Sequence, residues 1–344
     1  MRIFAALIAA ILLLSSCGLA LDNPVRDVEI EKGFIIYFID VGQADSALII
    51  CDDETMLIDG GNAGDSDLIY TFLRNRGVTH LDYVVATHAH EDHVGGLSGA
   101  LNIATAGVAL SPVTEYGSRA FNSFVRYLGE QGVSITVPNH DDAFKLGSAD
   151  VLILGPVGEY SNHNDMSIVI KITYGDTSFL FTGDAERASE LDIIDTGYDL
   201  SATVLKVGHH GSDSSTTYPF LREVMPEYAV ISCGRNNQYG HPSDDALSQL
   251  RDADATVYRT DLQGTITCVS DGVNVSFNVE RNAEVQTNPT QPSADEEHYI
   301  GNVNSRIFHR PSCSGLPAQQ NRIILDTRET AVSEGFEPCG RCRP

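Results

Sequence analysis

Short apolar runs punctuated by Asp and Gly characterise the chain from Gly33 onward. The runs GFIIYFID, SALIIC, TMLIDGG and LDYVVATH have the length and composition of β-strands. A second series follows: ADVLILG, SIVIKITYG, TSFLFTGD, ATVLKVGHH, YAVISCG, ATVYRT and GTITCVS. Residues 66–77 and 118–132 have helical spacing, with Ser66 as a possible N-cap, and another helix is expected from about His93. This mixture predicts an α/β fold, an αββα sandwich of sheets covered by helices.

The N-terminus departs from this pattern. One arginine precedes an apolar run over residues 3–14 that is too short to span a membrane, which is typical of a secretory signal. The run ends in LSSC, which resembles a bacterial lipobox whose cysteine, here Cys17, becomes lipidated. We therefore expect a signal peptide over 1–17, a tether over 18–30, and a lipoprotein at the extracellular face of the bacterial membrane. An ordinary signal peptide with an incidental cysteine is the alternative.

The overall charge is strongly acidic: 47 acidic residues against 22 basic ones give a net charge of -25. Such a surface repels nucleic acid at long range, so a polyanionic substrate would have to be captured by metal ions or by a local basic patch. An acidic surface is also consistent with solubility or a salty medium alone.

Three of the seven cysteines lie in strand-like runs. Because no spacing pairs Cys51, Cys233 or Cys268, we expect them to be buried free thiols.

The motif THAHEDH carries the clearest chemistry. It places four potential metal ligands directly after an apolar strand. A turn there can direct His88 and His90 at one ion, and Asp92 and His93 at a second. Imidazole and carboxylate ligands suit zinc, manganese or iron.

His-x-His-x-Asp-His resembles the signature of the metallo-β-lactamase superfamily. The resemblance implies the metallo-β-lactamase fold, with Asp59 of MLIDGG supporting the metal-binding loop. It also implies that Asp184 of LFTGDAE bridges two metal ions. His209 of VGHHGS is then the last ligand of the second ion, and His210 beside it would bind substrate or transfer protons.

The resemblance also implies a histidine ligand of the first ion, about four residues before a small residue that starts a strand. His163 stands four positions before Ser167 and is the candidate. Asn164 or Asp165 could take its place.

Within the superfamily, residues 33–280 resemble the soluble hydrolase domain of the ComEC competence channel. The segments that carry the likeness are FIDVGQADSALI, NHNDMSIVI, FLFTGDAE, LKVGHHGS and YGHPSDDAL, with Ala44 replacing the usual glycine. We take 31–280 as the hydrolase domain. His241 matches a subfamily histidine that could contact a phosphate or protonate a leaving group.

This resemblance implies a metal-dependent phosphodiesterase, a nuclease that cleaves DNA with water activated by two divalent ions, zinc or manganese. The expected catalytic residues are Asp92, His210 and His241, and the expected phosphate contacts are Lys206, Ser212 and Ser214. One alternative is hydrolysis of a lactone, thioester, lactam or phosphonate. Another is a DNA-binding surface receptor with a residual metal site. No protein partner is implied.

A small C-terminal module is expected after a polar linker over 281–297. It spans 298–344 and contains His309-x₃-Cys313 and Cys339-x₂-Cys342, a tetrahedral structural zinc set. Because a module of this size has only a small hydrophobic core, a bound metal ion would be needed to stabilise it.

The stretches FHRPSC and PCGRC in this module resemble the zinc-binding domain of the Ada DNA-repair protein. The methyl-accepting cysteine of that family falls at His309, so methyl-phosphotriester repair is not expected. Six arginines and four acidic residues follow His298, and arginine suits phosphate contacts. Contact with the DNA backbone and a purely structural role are both open.

Overall fold

A computed structural model describes residues 33–290, 298–311, 313, 315–340 and 344. The expected signal, Cys17 and the whole tether lie outside these residues, as do 291–297 and Cys342. The described residues belong to one compact unit.

Two β-sheets form the centre of the molecule. Their strands are β1 (Phe34–Phe38), β2 (Ala47–Cys51), β3 (Glu54–Ile58), β4 (His80–Val85), β5 (Thr105–Leu110), β6 (Ile135–Thr136), β7 (Ala143–Leu146), β8 (Ala149–Gly155), β9 (Val169–Tyr174), β10 (Thr177–Phe181), β11 (Val204–Lys206), β12 (Tyr228–Ile231), β13 (Thr256–Arg259), β14 (Ile266–Ser270) and β15 (Val275–Val279). The first sheet has the order β15-β14-β1-β2-β3-β4-β5-β6, and the second has the order β13-β12-β11-β10-β9-β8-β7.

Helices cover the outer faces of both sheets. They are α1 (Ser66–Asn75), α2 (Glu91–Val94), α3 (Leu97–Ile103), α4 (Arg119–Glu130), α5 (Arg187–Asp195), α6 (Tyr218–Val224), α7 (Asp244–Asp252) and α8 (Thr260–Gln263). Short 3-10 helices lie at Ala63–Asp65 and Gly208–Gly211. Ser118 caps α4 by accepting a 3.1 Å hydrogen bond from the Phe121 amide. The expected N-cap Ser66 is instead the first residue of α1, and its hydroxyl donates to the Ala63 carbonyl.

Alternation along the strands explains the layers. Successive side chains point to opposite faces of a strand. Ile49 accordingly packs between the two sheets, whereas Leu48 packs under the helices of the first sheet. A third apolar cluster joins the second sheet to α5, α6 and α7. The αββα sandwich is confirmed.

The thiols of Cys51, Cys233 and Cys268 are buried and free, as predicted. Each sits in or directly after a strand, where it packs as a small apolar side chain.

The C-terminal residues form a third, small sheet that the apolar pattern did not predict. Its strands are β16 (Tyr299–Asn302), β17 (Ile307–His309), β18 (Arg322–Leu325) and β19 (Glu337–Pro338), with a helix α9 (Arg328–Ser333) and a 3-10 helix (Gln319–Asn321). Their core consists of Tyr299, Phe308, Leu325, Ala331 and Phe336. These strands have two to four residues, which is at or below the shortest run over which alternation can be recognised.

Candidate metal centre

The candidate site lies where the loops after several strands meet at one edge of the sandwich. β3 and β4 are parallel neighbours, as are β10 and β11. Because parallel strands end at the same edge, the loops after them converge. The residues in these loops include Asp59, the segment 87–93, Asp184 and His210.

The 87–93 turn gathers three imidazoles. His88 Nε2 and His90 Nδ1 lie 2.9 Å apart, and both face the interior of the turn. His93 is fully buried, and its Nδ1 lies 2.8 Å from Asp59 Oδ2, so Nε2 is directed away from Asp59. Thr87 donates its amide and its hydroxyl to Asp59 at 2.8 and 2.7 Å. Asp59, which was predicted to support the metal-binding loop, therefore orients the turn through these hydrogen bonds.

Asp184 faces these imidazoles from the second sheet. Its Oδ1 lies 3.3 Å from His93 Nε2, and its Oδ2 lies 3.8 Å from His88 Nε2. Its amide donates to Ser167 Oγ at 3.0 Å. Gly183 has φ +53°, and a Cβ there would approach the Thr87 Cβ to 2.9 Å. Glycine thus permits the close approach that places the carboxylate between the histidines.

His210 completes a second group of donors. Its Nε2 lies 3.4 Å from Asp92 Oδ2, and the ligand atoms of Asp92, His93 and His210 lie within 4.8 Å of one another. Its Nδ1 lies 3.2 Å from Asp45 Oδ1 and 3.1 Å from the Ser232 carbonyl. Fixing one ring nitrogen in this way orients the other one.

His209 was predicted to be the last ligand, but the structure brings His210 into the donor group instead. His209 Nε2 lies 3.6 Å from Asp184 Oδ2. Its Nδ1 faces Glu186 Oε1 and Ser214 Oγ, each at 3.3 Å, and its side chain is 23% exposed. Both residues have positive φ, 47° and 55°, and this unusual backbone decides which ring points inward.

A buried ion pair supports His210. Lys206 Nζ lies 2.7 Å from Asp45 Oδ2, with both side chains about 95% buried. Lys206 also donates to the Val207 carbonyl at 3.0 Å. Lys206 therefore neutralises Asp45 inside the protein and is not placed as the phosphate contact that was predicted.

The donor set fits divalent cations. His93 Nε2, Asp184 Oδ1 and His210 Nε2 are buried atoms without a hydrogen-bond partner in the described part of the chain. The site also concentrates four carboxylates. These carboxylates are Asp45, Asp59, Asp92 and Asp184. Unpartnered imidazole and carboxylate atoms that converge in a buried, negatively charged site are what zinc or manganese binds.

The pKa directions express the same charge imbalance. Burial alone would lower the pKa of His93, but Asp184 and Asp59 raise it well above its usual value. Burial opposes a charged His210 too, yet Asp184 and Asp45 raise its pKa to about 10. Burial favours a neutral Asp184, but His93 and His210 hold its pKa well below the usual range. The buried carboxylates are thus stabilised by nearby positive charge, which either protons on the histidines or metal ions can supply.

The region of the expected third motif does not deliver an imidazole to the donor groups. His163 is exposed, and its ring centroid lies 6.0 Å from that of His90. Asp165 Oδ1 instead accepts from the amides of Glu186 and Ser189 at 3.0 and 3.3 Å, which holds the start of α5. Asn164 keeps a buried Oδ1 without a partner among the described residues.

The other predicted substrate contacts lie around His209. Ser212 Oγ and Ser214 Oγ are 3.0 Å apart, and Ser214 reaches His209. The ring of His241 packs edge-on against His209, with centroids 5.7 Å apart. Gln43 Nε2 holds His241 Nδ1 at 3.4 Å.

Asp45 and Glu190 were not predicted as site residues. Glu190, which is 1% exposed, accepts from the Thr217 amide and hydroxyl at 3.0 and 2.7 Å and from the Thr216 amide. It thereby ties α5 to the loop that follows His210. A lysine within the apolar run ATVLKVG was the available signal for Asp45, because a buried lysine requires a carboxylate partner.

The C-terminal module has its own donor cluster. Ligand atoms of His309, Cys313 and Cys339 lie within 4.8 Å of one another, and His309 Nδ1 is buried without a partner in the described residues. Cys342, the predicted fourth ligand, is outside the described residues. An imidazole and two thiolates are a zinc-binding set.

The module packs on the hydrolase domain through Arg328, which is 7% exposed. Arg328 pairs with Asp252 and donates to Tyr218 Oη at 2.9 Å. Arg187 and Glu337 form a second, exposed pair at 3.4 Å. Along the expected linker, Thr287 and Asn288 donate to carbonyls of the hydrolase domain at 2.7 and 2.8 Å.

The fold and the donor set define a metal-dependent hydrolase. Residues 39–235 match the family model described as the metallo-beta-lactamase superfamily, and the chain belongs to that superfamily. Residues 282–344 match the metal binding domain of Ada, so the C-terminal part is an Ada-like zinc-binding domain.

Named relatives refine this placement. The chain is 30% identical over 248 residues, 66% of its length, to "ComE operon protein 3" of Bacillus subtilis. It is 31% identical over 261 residues, 75% of its length, to "Competence protein ComA" of Neisseria gonorrhoeae. The matches span 32% and 35% of these relatives, so the chain corresponds to about a third of each. The solved metallo-beta-lactamase fold protein YhfI of Bacillus subtilis aligns with 70% of this chain and 100% of its own, at 14% identity and a TM-score of 0.46.

Among the described residues, no helix combines the length and the apolar character needed to cross a membrane.

Proposed function

We propose that the protein is a metal-dependent phosphodiesterase that cleaves nucleic acid, with DNA as its substrate. The observation that carries the proposal is the meeting of Asp92, His93, Asp184 and His210 beside the His88–His90 pair. The names of the competence relatives support a nucleic-acid substrate. So does a shorter match, 34% identical over 93 residues, to a protein named "Ribonuclease Z".

The donors divide between two cations. We assign His88 and His90 to the first cation, and Asp92, His93 and His210 to the second, with Asp184 shared. When bound, divalent cations would act as Lewis acids toward the phosphoryl group. They would also lower the pKa of water, so that hydroxide, the nucleophile, is available near neutral pH. The smaller ligand set of the first cation leaves room for water and substrate.

His209 has the position of a proton-transfer group. Its ring lies at the mouth of the site, between Asp184 on one side and Glu186 and Ser214 on the other. A carboxylate and a hydroxyl beside Nδ1 fix the ring, so Nε2 can deliver a proton to the leaving oxygen. His241 packs against His209 and steadies its outer face.

A nuclease assay tests this proposal. Protein loaded with zinc or manganese should hydrolyse DNA and bis-p-nitrophenyl phosphate, and His90→Ala and His210→Ala should abolish both activities. His80→Ala is the matched control, because His80 is an exposed histidine at the opposite end of β4. Hydrolysis that His90→Ala leaves unchanged would refute the assignment. DNA binding without turnover would instead indicate a receptor with a residual metal site.

For the C-terminal module, we propose one structural zinc held by His309, Cys313, Cys339 and Cys342. We propose 31–280 as the hydrolase domain and 298–344 as this module, whose arginines other than the buried Arg328 contact the DNA backbone. A module variant lacking zinc should weaken DNA binding without changing hydrolysis of bis-p-nitrophenyl phosphate.

We also propose that the protein is exported and anchored by lipid on Cys17. The LSSC sequence after a short apolar run supports this. Labelling with a radioactive fatty acid should mark the wild type and not Cys17→Ser. Equal labelling of both would contradict the proposal.

A further inference from the structure

Aromatic rings extend outward from the metal centre on the His209 side. The ring of Tyr239 stacks on that of His241, with centroids 5.8 Å apart and planes inclined by 27°. His241 in turn contacts His209 edge-on. Tyr239 is 63% exposed, so one face of the row is open to a ligand. We call Tyr239 and His241 the outer ring pair.

A second ring pair lies on the opposite side of the site. Tyr116 packs edge-on against His163, with centroids 5.1 Å apart, and His163 packs against His90 at 6.0 Å. Phe121 supports Tyr116 from below at 6.1 Å. Rings therefore flank the metal centre both beyond His90 and beyond His209.

The outer ring pair is held in place by its own loop. Asn237 Oδ1 accepts from the amides of Tyr239 and His241 at 3.1 and 3.0 Å. Asn237 Nδ2 donates to the carbonyls of Gly234 and His241 at 2.9 and 2.5 Å. A ring that the backbone already positions loses little freedom when a ligand stacks on it.

Stacking also suits the charge of this protein. With a net charge of -25, long-range electrostatics opposes the approach of a polyanion. Base–aromatic stacking is worth about 1–3 kcal/mol per base and needs no positive surface. It requires exposed base faces, which single strands offer and duplexes conceal.

We propose that unpaired nucleobases on either side of the scissile phosphodiester stack on the outer ring pair and on Tyr116, so that the substrate is single-stranded nucleic acid. This inference rests on the proposed function. It adds a strand preference and a binding surface that the metal centre alone does not specify.

The test compares three substrates that share one phosphodiester backbone: a single-stranded oligodeoxynucleotide, the same strand in a duplex, and a strand with abasic sites in place of its bases. Metal-loaded protein should prefer the single strand. Tyr239→Ala should lower kcat/KM on it by about 5- to 150-fold, and Tyr239→Phe by less than about twofold. The loss on the abasic strand should be much smaller. Asn237→Ala should weaken the single-strand preference while keeping the ring.

Val273→Ala is the control, because Val273 is 65% exposed in the β14–β15 turn, far from the site. Preference for the duplex, or equal losses on base-bearing and abasic strands, would overturn the inference while leaving the nuclease intact. If no strand is cleaved, the proposed function fails. Binding affinity measured by fluorescence anisotropy then tests separately whether bases stack on Tyr239. Equal affinity of wild type and Tyr239→Ala for the base-bearing strand would then refute it.

Discussion

The two candidate metal sites of this molecule are built in opposite ways. In the hydrolase domain, partners outside the donor set hold the ligands: Asp59 holds His93, and Asp45 holds His210. Three apolar clusters stabilise that domain independently of any ion. In the C-terminal module, the buried core of the described residues has only five members, and His309, Cys313 and Cys339 form a separate donor cluster. The contrast indicates that metal ions serve catalysis in the hydrolase domain, whose fold does not depend on them, whereas a metal ion stabilises the fold of the C-terminal module.

The largest expected effect of metal removal is on the module. Structural zinc in small domains contributes about 10–16 kcal/mol of apparent binding free energy, which becomes folding free energy. Chelation, or Cys313→Ser, should abolish hydrogen-exchange protection of β16 and β18 while β1–β4 stay protected. Cys51→Ala, which removes a free thiol outside the cluster, should leave the module protected. A zinc-free module that keeps its protection would erase the distinction between the two sites.

Asp184→Asn should have the converse effect. Loss of the carboxylate shared by the two donor groups should reduce phosphodiesterase activity on the order of a thousandfold or more. The fold should persist, because asparagine keeps the shape of the side chain, and without the carboxylate burial leaves the imidazoles of His93 and His210 neutral. Activity measurements together with a thermal unfolding curve check this. A variant that unfolds would mean that the centre is structural after all.

Lys206→Met tests the support of the second donor group. Removing the partner of Asp45 should loosen the orientation of His210 and weaken metal binding by about 10- to 100-fold. Competition with a chromophoric chelator measures the affinity. Lys171→Met is the matched control, because Lys171 is a mostly buried lysine paired with Asp199 at 3.1 Å, away from the site. Equal affinities in wild type and Lys206→Met would show that the ion pair serves packing alone.

Arg328→Ala should have the smallest effect. It should weaken the docking of the module on the hydrolase domain by about 1–2 kcal/mol, because Asp252 keeps Arg251 as a second partner at 2.9 Å. We expect the module to undock while it stays folded, which faster proteolysis near residues 281–290 would detect. The exposed pair variant Arg126→Ala should change nothing. Unchanged proteolysis in Arg328→Ala would place the docking energy elsewhere.

Much of the hydrolase fold was predictable because its strands are short apolar runs bounded by Asp and Gly, and because its ligands follow strand ends. The THAHEDH turn and Asp184 were predicted from the sequence and do meet. The structure was needed to decide which of His209 and His210 joins the donor group. Both residues have positive φ, so the direction of their side chains does not follow from alternation along a strand.

Lys206 shows a second reason why sequence alone does not predict the role of a residue, namely a partner that is distant along the chain. A lysine near a predicted phosphate site suggests substrate contact, yet its partner Asp45 lies 161 positions earlier in the chain. Such a pairing becomes visible only when β1 and β11 are placed in their sheets. Glu190 was missed for the same reason, because its threonine partners follow it by more than twenty residues.

Anomalous diffraction at the zinc edge from crystals of the zinc-loaded protein tests the central claim most directly. We expect two neighbouring peaks on either side of Asp184, one at His88 and His90 and the other at Asp92, His93 and His210, with a separate peak at Cys313 and Cys339. Absence of anomalous density between His93, Asp184 and His210 would contradict it.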